Sequence, residues 1–151
     1  MKEFNNIDDI LDFSINNEQE AVDFYTKLAN QAKSEAIKKV FTEFAGEEMG
    51  HKAKLIDIKL KGSFGGATEK VIDLKIADYI VKTQATPDMS YQDALILAMH
   101  REKSAFKLYT ALAERAPNAD LKKLFLVLAQ EESKHKLRFE VEYDEYVMRE
   151  N

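Results

Sequence analysis

Glu18, Tyr25, Glu48 and His51 recur 84 positions later as Glu102, Tyr109, Glu132 and His135. The match extends without a gap over Leu11 to Lys52 laid on Leu95 to Lys136, where 16 of 42 positions are identical, among them Leu28 with Leu112, Phe41 with Phe125 and Ala45 with Ala129. Shared helical composition does not give that level of identity. A duplicated unit of this length implies a fold built around a pseudo-two-fold axis.

The repeating unit reads as a helical hairpin. Ile7, Ile10, Leu11, Ile15, Val22, Tyr25 and Leu28 lie near one helical stripe between Ile7 and Gln31. A second helix begins after the N-cap candidate Ser34 and stops before Gly62. A third starts after Ser90 and runs to about Ala116, where Pro117 and Asn118 break and restart the chain into a fourth from about Asp120. Gly62 to Met89 is too long for a tight turn, and Thr68 to Thr83 is itself helical in pattern. The expectation is one all-α domain over residues 1–151: hairpins over about 7–61 and 90–148, joined by a partly helical crossover over about 62–89. Two hairpins joined this way give a ferritin-like four-helix bundle with an up-down-down-up path.

Composition narrows the chemistry. The formal net charge of −5 argues against nucleic acid as a partner. With no Cys there is no disulfide, thiolate metal site or thiol nucleophile, so any metal must sit on oxygen and nitrogen. MKEFNNIDDI lacks the apolar core of a signal peptide, and the longest apolar run, Ala94 to Met99, is too short to span a bilayer. A cytoplasmic protein without a membrane segment is expected.

The duplicated set is an inventory of metal ligands. In Glu48-x-x-His51 and Glu132-x-x-His135 the two side chains are about 60° apart round the helix and roughly one turn apart along it, so each pair can serve one ion. Glu18 and Glu102 come from the other two helices. Four glutamates in a low-dielectric core would repel one another and hold protons, whereas two divalent cations neutralise them and leave both imidazoles as neutral ligands. A single E-x-x-H is a weak signal, because that spacing is common on solvated faces; two of them with two matched glutamates are specific. Tyr25 and Tyr109 lie two turns beyond their glutamates, placed either to hydrogen-bond a ligand carboxylate or to pack as core tyrosines. Glu47 and Glu131 also repeat but are rotated about 100° from their neighbours, towards solvent or groups outside the ligand set. His100 has Asn16 as its counterpart and is expected outside the ligand set.

E-x-x-A-x-x-x-Y-x-x-L-A in Glu18 to Ala29 and Glu102 to Ala113, with F-x-x-x-A-x-E-E-x-x-H-K in Phe41 to Lys52 and Phe125 to Lys136, resembles the rubrerythrin-type ferritin-like di-iron domain over nearly the whole chain. The resemblance implies two iron ions held by Glu18, Glu48, His51, Glu102, Glu132 and His135, with manganese or zinc as possible substitutes. It further implies an often dimeric oxidoreductase that reduces hydrogen peroxide or dioxygen with electrons from an external donor. Two features depart from the family. With no Cys there is no rubredoxin-type iron site in this sequence, so electrons for a peroxidase are expected to come from another protein such as a rubredoxin. The additional glutamate that rubrerythrins carry one turn beyond the third-helix ligand is replaced by Ala105. Two other functions stay open: ferrous-ion oxidation and iron handling at the same centre, and a structural metal-binding bundle.

Overall fold

The computed structural model describes residues 7–62 and 89–150; the expected crossover helix, Thr68 to Thr83, lies outside the described residues. Among the described residues there are four helices: α1 (Ile7–Gln31), α2 (Glu35–Lys61), α3 (Tyr91–Arg115) and α4 (Ala119–Glu150). Among the described residues there is no strand.

Helix boundaries fall where the chain supplies partners for the end groups that a helix leaves unbonded. Ser34 Oγ accepts from the Ile37 amide at 3.2 Å, and Ser90 Oγ accepts from the Asp93 amide at 3.1 Å. Asn118 Oδ1 does the same for Leu121 at 2.8 Å, which confirms the parallel roles of the two inter-helix restarts. At the far end of α2, Gly62 adopts φ 60° and ψ 38°, and its amide reaches the Lys59 carbonyl. A Cβ is disfavoured there, so glycine ends the helix at low cost.

Pair contacts fix the path of the chain. Gln19 meets Lys52 while Asp12 meets Lys59, so α1 and α2 are antiparallel. Glu18 faces Tyr109 while Tyr25 faces Glu102, so α1 and α3 are antiparallel as well. His51 meets Glu131 while Glu47 meets His135, which sets α2 against α4 in the same sense. Only the up-down-down-up order satisfies all three relations, and it is that of a ferritin-like bundle.

Two apolar layers fill the interior. One holds Ile10, Leu11, Leu55, Leu112, Phe125 and Leu128; the other holds Tyr25, Leu28, Phe41, Leu95, Ala98 and Phe139. Between them lies a layer of buried Glu and His side chains. Each fully buried Leu or Phe contributes roughly 1.5–3 kcal/mol, and these layers offset the cost of burying the polar one.

Gly46 and Gly50 sit on the exposed side of α2, and a Cβ at either would meet nothing within 4 Å. Gly46→Ala and Gly50→Ala should therefore each raise stability by about 1 kcal/mol, the difference in helix propensity. Gly62→Ala should lower it by roughly 1 kcal/mol because of the left-handed backbone. Urea unfolding of the three variants checks this, and a loss of stability at Gly46 or Gly50 would mean that another surface comes close there.

Candidate metal centre

One carboxylate from each helix and one imidazole from each of α2 and α4 converge at the middle of the bundle. Glu18, Glu48, Glu102, Glu132, His51 and His135 are all buried, each with no more than 3% of its surface exposed. Their donor atoms form two overlapping groups: Glu18, Glu48, His51 and Glu132, and Glu48, Glu102, Glu132 and His135. Within each group the donors lie within 4.8 Å of one another. Glu48 and Glu132 belong to both groups, so the two E-x-x-H glutamates occupy bridging positions, and Glu18 and Glu102 each serve one end.

The donor set is chemically suited to cations. His51 Nδ1 stands 3.3 Å from Glu18, 3.7 Å from Glu48 and 3.1 Å from Glu132. His135 Nδ1 stands 3.1 Å from Glu48, 3.7 Å from Glu102 and 3.9 Å from Glu132. Donors around one ion at roughly 2 Å have such separations. Glu18 Oε2, Glu48 Oε1, His51 Nδ1, Glu102 Oε2, Glu132 Oε1 and His135 Nδ1 are each buried without a hydrogen-bond partner. A folded core does not tolerate one orphaned polar atom on each of six converging side chains unless something else satisfies them. Two divalent cations would do so.

The remaining atoms of both histidines, and one oxygen each of Glu18 and Glu102, are held by neighbours across the bundle. His51 Nε2 pairs with Glu131, and His135 Nε2 pairs with Glu47. With the Nε2 proton donated to a carboxylate, each ring presents its Nδ1 lone pair to the centre. Glu47 and Glu131 thus have a defined task that their rotation away from Glu48 and Glu132 concealed; their recurrence at the offset of 84 was the signal that could have revealed it. Tyr25 donates to Glu102 Oε1, and Tyr109 donates to Glu18 Oε1 at 2.5 Å. Each tyrosine therefore orients the glutamate of the opposite hairpin. The Phe44 ring stacks on His135 with centroids 4.0 Å apart and shields that end. His100 is exposed and away from the cluster. Ala105 is partly buried against the apolar layer that contains Tyr109.

Without cations, the layer stores protons. Burial, followed by the charge of Glu48, pushes Glu18 up to about 8. Burial and the charge of Glu132 push Glu48 up to about 7, and burial with Glu102 and Glu18 pushes Glu132 up to about 8. Glu102 is raised too, by burial, against the opposing pull of His135. Burial alone would lower both imidazoles, but hydrogen bonds and charge from Glu132 and Glu18 raise His51 to about 12. Glu102 and Glu48 likewise raise His135 to about 11.

The class of protein is defined at this level: a ferritin-like bundle whose two hairpins enclose a four-carboxylate, two-histidine site for metal. The rubrerythrin family model matches residues 9–92 and 93–151, and the chain belongs to that family. Among solved structures, a ferritin-like diiron-carboxylate protein from Thermotoga maritima superposes with a TM-score of 0.83 at 23% identity, over 97% of this chain and 99% of that one. A hypothetical protein from Pyrococcus furiosus gives 0.70 at 26% identity, over 89% of this chain and 86% of that one. A comparison with curated proteins finds no match. None of the described helices is long and apolar enough to cross a membrane.

Glu47→Gln and Glu131→Gln should each weaken metal binding by about 10- to 100-fold, the usual effect of removing the group that orients a ligand histidine. Competition with a chelator of known affinity measures this. The protons give a second expectation. The three glutamates with values of about 7 to 8 have an ordinary value of 4.5, so the folded metal-free chain keeps protons that the unfolded chain has released. Their stabilising contribution is complete below the unfolded value and is lost as pH rises through the folded ones; the two histidines continue the trend at higher pH. The metal-free protein should melt at falling temperature between about pH 5 and 8, and metal binding should release protons over that range. Melting curves with and without metal, with calorimetry in buffers of different ionisation enthalpy, test both signs.

Proposed function

We propose that the protein is a non-haem di-iron oxidoreductase that reduces hydrogen peroxide or dioxygen with electrons from an external donor protein. The observation that carries this reading is the pair of overlapping donor groups that share Glu48 and Glu132. Six protein ligands on two ions leave coordination positions for a small oxidant, as a purely structural site does not. Iron bound there would supply electrons to the O–O bond, and peroxide needs two electrons and two protons to yield two waters.

The protein's own part is to prepare the site. Glu18 and His51 hold one end, Glu102 and His135 hold the other, and the shared glutamates fix the spacing. Tyr109 and Tyr25 restrain the terminal carboxylates, while Glu131 and Glu47 restrain the imidazoles. The apolar layers on either side exclude bulk water, which strengthens each charge interaction inside.

Ala105 favours a second reading. It leaves no carboxylate one turn beyond Glu102 on α3. A centre restricted in this way suits ferrous-ion oxidation and iron handling as well as peroxide turnover.

Protein purified without oxygen should bind two ferrous ions per chain. Rapid mixing with peroxide should oxidise them at once and, with a reductant present, consume peroxide catalytically. Glu48→Ala combined with Glu132→Ala should remove both metals and the activity. Retention of both by that double variant would overturn the reading, whereas single-turnover oxidation without catalysis would select iron handling.

A further inference from the structure

The duplication fails in an instructive place. Leu55 of the first hairpin is answered by Phe139 in the second, Ile7 by Tyr91 and Ile58 by Glu142. Three aliphatic positions thus become two aromatic rings and a carboxylate, and the structure links these three to one end of the bundle.

The rings form a continuous series. Tyr25, which donates to the ligand Glu102, has its centroid 5.2 Å from Phe139. Phe139 stacks on Phe41 at 5.4 Å, Phe41 lies 6.4 Å from Tyr91, and Tyr91 meets Tyr146 edge-on at 5.0 Å. Tyr25, Phe41 and Phe139 are fully buried, whereas Tyr91 and Tyr146 are partly exposed. The series therefore joins the metal layer to the surface at the start of α3 and the end of α4.

Glu142 gives the outer end a specific chemistry. It is buried, with 1% of its surface exposed, and its Oε1 accepts from the Tyr91 hydroxyl at 3.4 Å and from Arg149 at 3.1 Å. Its Oε2 has no partner. Burying a carboxylate beside a tyrosine hydroxyl is costly, and packing alone is served by the isoleucine at the equivalent position of the other hairpin. A phenol that is to lose an electron, however, needs an acceptor for its proton. Burial, reinforced by Glu142, holds the Tyr91 hydroxyl well above its ordinary pKa, so the proton does not leave beforehand.

We propose that Tyr91, with Glu142 as its proton acceptor, is the entry point for electrons, and that Phe41, Phe139 and Tyr25 carry them to the metal centre. This rests on the oxidoreductase reading above. When Tyr91 gives up an electron, the phenolic O–H bond breaks, the electron tunnels inward through the intervening rings, and the proton passes to the Glu142 carboxylate. An external one-electron donor, such as a reduced iron–sulfur or flavin protein, then returns an electron to the phenoxyl group. Glu142 returns the proton, and Tyr91 is restored.

The lack of cysteine makes a direct test possible, because Glu145→Cys on exposed α4 provides a unique attachment point for a ruthenium polypyridyl photo-oxidant next to Tyr146. Flash oxidation of the label on the ferrous-loaded protein should produce a transient tyrosyl absorption and then rapid loss of ferrous iron, the same path run outward. In the same labelled background, Tyr91→Phe should abolish the fast phase of iron oxidation while two irons remain bound and any transient on Tyr146 persists. Glu142→Gln should slow the step and reduce its solvent isotope effect. Phe139→Leu, which installs the residue found at position 55, should slow iron oxidation but leave the transient. Unchanged rates in all three would overturn the proposal, even if the variants melt at lower temperature. Peroxide mixing of the unlabelled protein reports separately on the oxidoreductase reading, and the flash experiment decides the path whatever its outcome.

Discussion

Six ionisable side chains buried in one layer across the middle of a helical bundle are the constraint on which the rest of this structure depends. Desolvation makes that layer unfavourable by itself, and the raised values of Glu18, Glu48 and Glu132 record the cost as retained protons. The fold meets the cost from two directions. Apolar layers on both sides supply the burial energy, and Glu18, Glu102 and both histidines each have a second polar contact that holds the unpaired donor atom towards the centre. Cations bound there would complete the layer by replacing the protons, which would link metal binding and folding stability through the same atoms.

The four-helix bundle was legible because local signals and the repeat agree. Ser34, Ser90, Asn118 and Gly62 mark helix ends by chemistry that needs no tertiary information, and each performs the capping role its residue type suggests. The convergence of Glu18, Glu48, His51, Glu102, Glu132 and His135 followed from helical geometry applied twice. Contacts between the hairpins were harder to read. Rotation about one helix axis directs Glu47 away from Glu48, yet the antiparallel approach of α4 brings the edge of His135 to that flank. Likewise Tyr25 lies two turns from Glu18, about 10 Å along the same helix, and reaches instead the glutamate of α3. Periodicity places a residue on a helix surface; it does not say which neighbouring helix meets that surface.

The pseudo-two-fold axis explains why these contacts occur in pairs. A hydrogen bond from Tyr25 to Glu102 in a symmetric bundle entails one from Tyr109 to Glu18, and His51 with Glu131 entails His135 with Glu47. Duplication therefore delivers two equivalent half-sites from one hairpin design, with the bridging glutamates as the point where they join. The same logic makes each shared position a double requirement: a change at Glu48 disturbs both donor groups, whereas a change at Glu18 disturbs one.

Symmetry would also have a cost for the proposed function, because a redox centre would have to exchange electrons with something outside itself, and a perfect repeat would treat both ends of the bundle alike. Selection on a duplicated chain can relax that equivalence only at positions outside the ligand set, since the ligands are constrained in both halves. Phe139, Tyr91 and Glu142 are such positions. They differ from Leu55, Ile7 and Ile58 in polarity and π-character while the ligands and their orienting partners remain matched. The departures are also physically coherent, since a buried carboxylate is tolerable at Glu142 only because Tyr91 and Arg149 are there to donate to it. At these three positions the two halves thus differ in the side chains between the metal layer and the surface, where Leu55, Ile7 and Ile58 are aliphatic and Phe139, Tyr91 and Glu142 are two aromatic rings and a carboxylate.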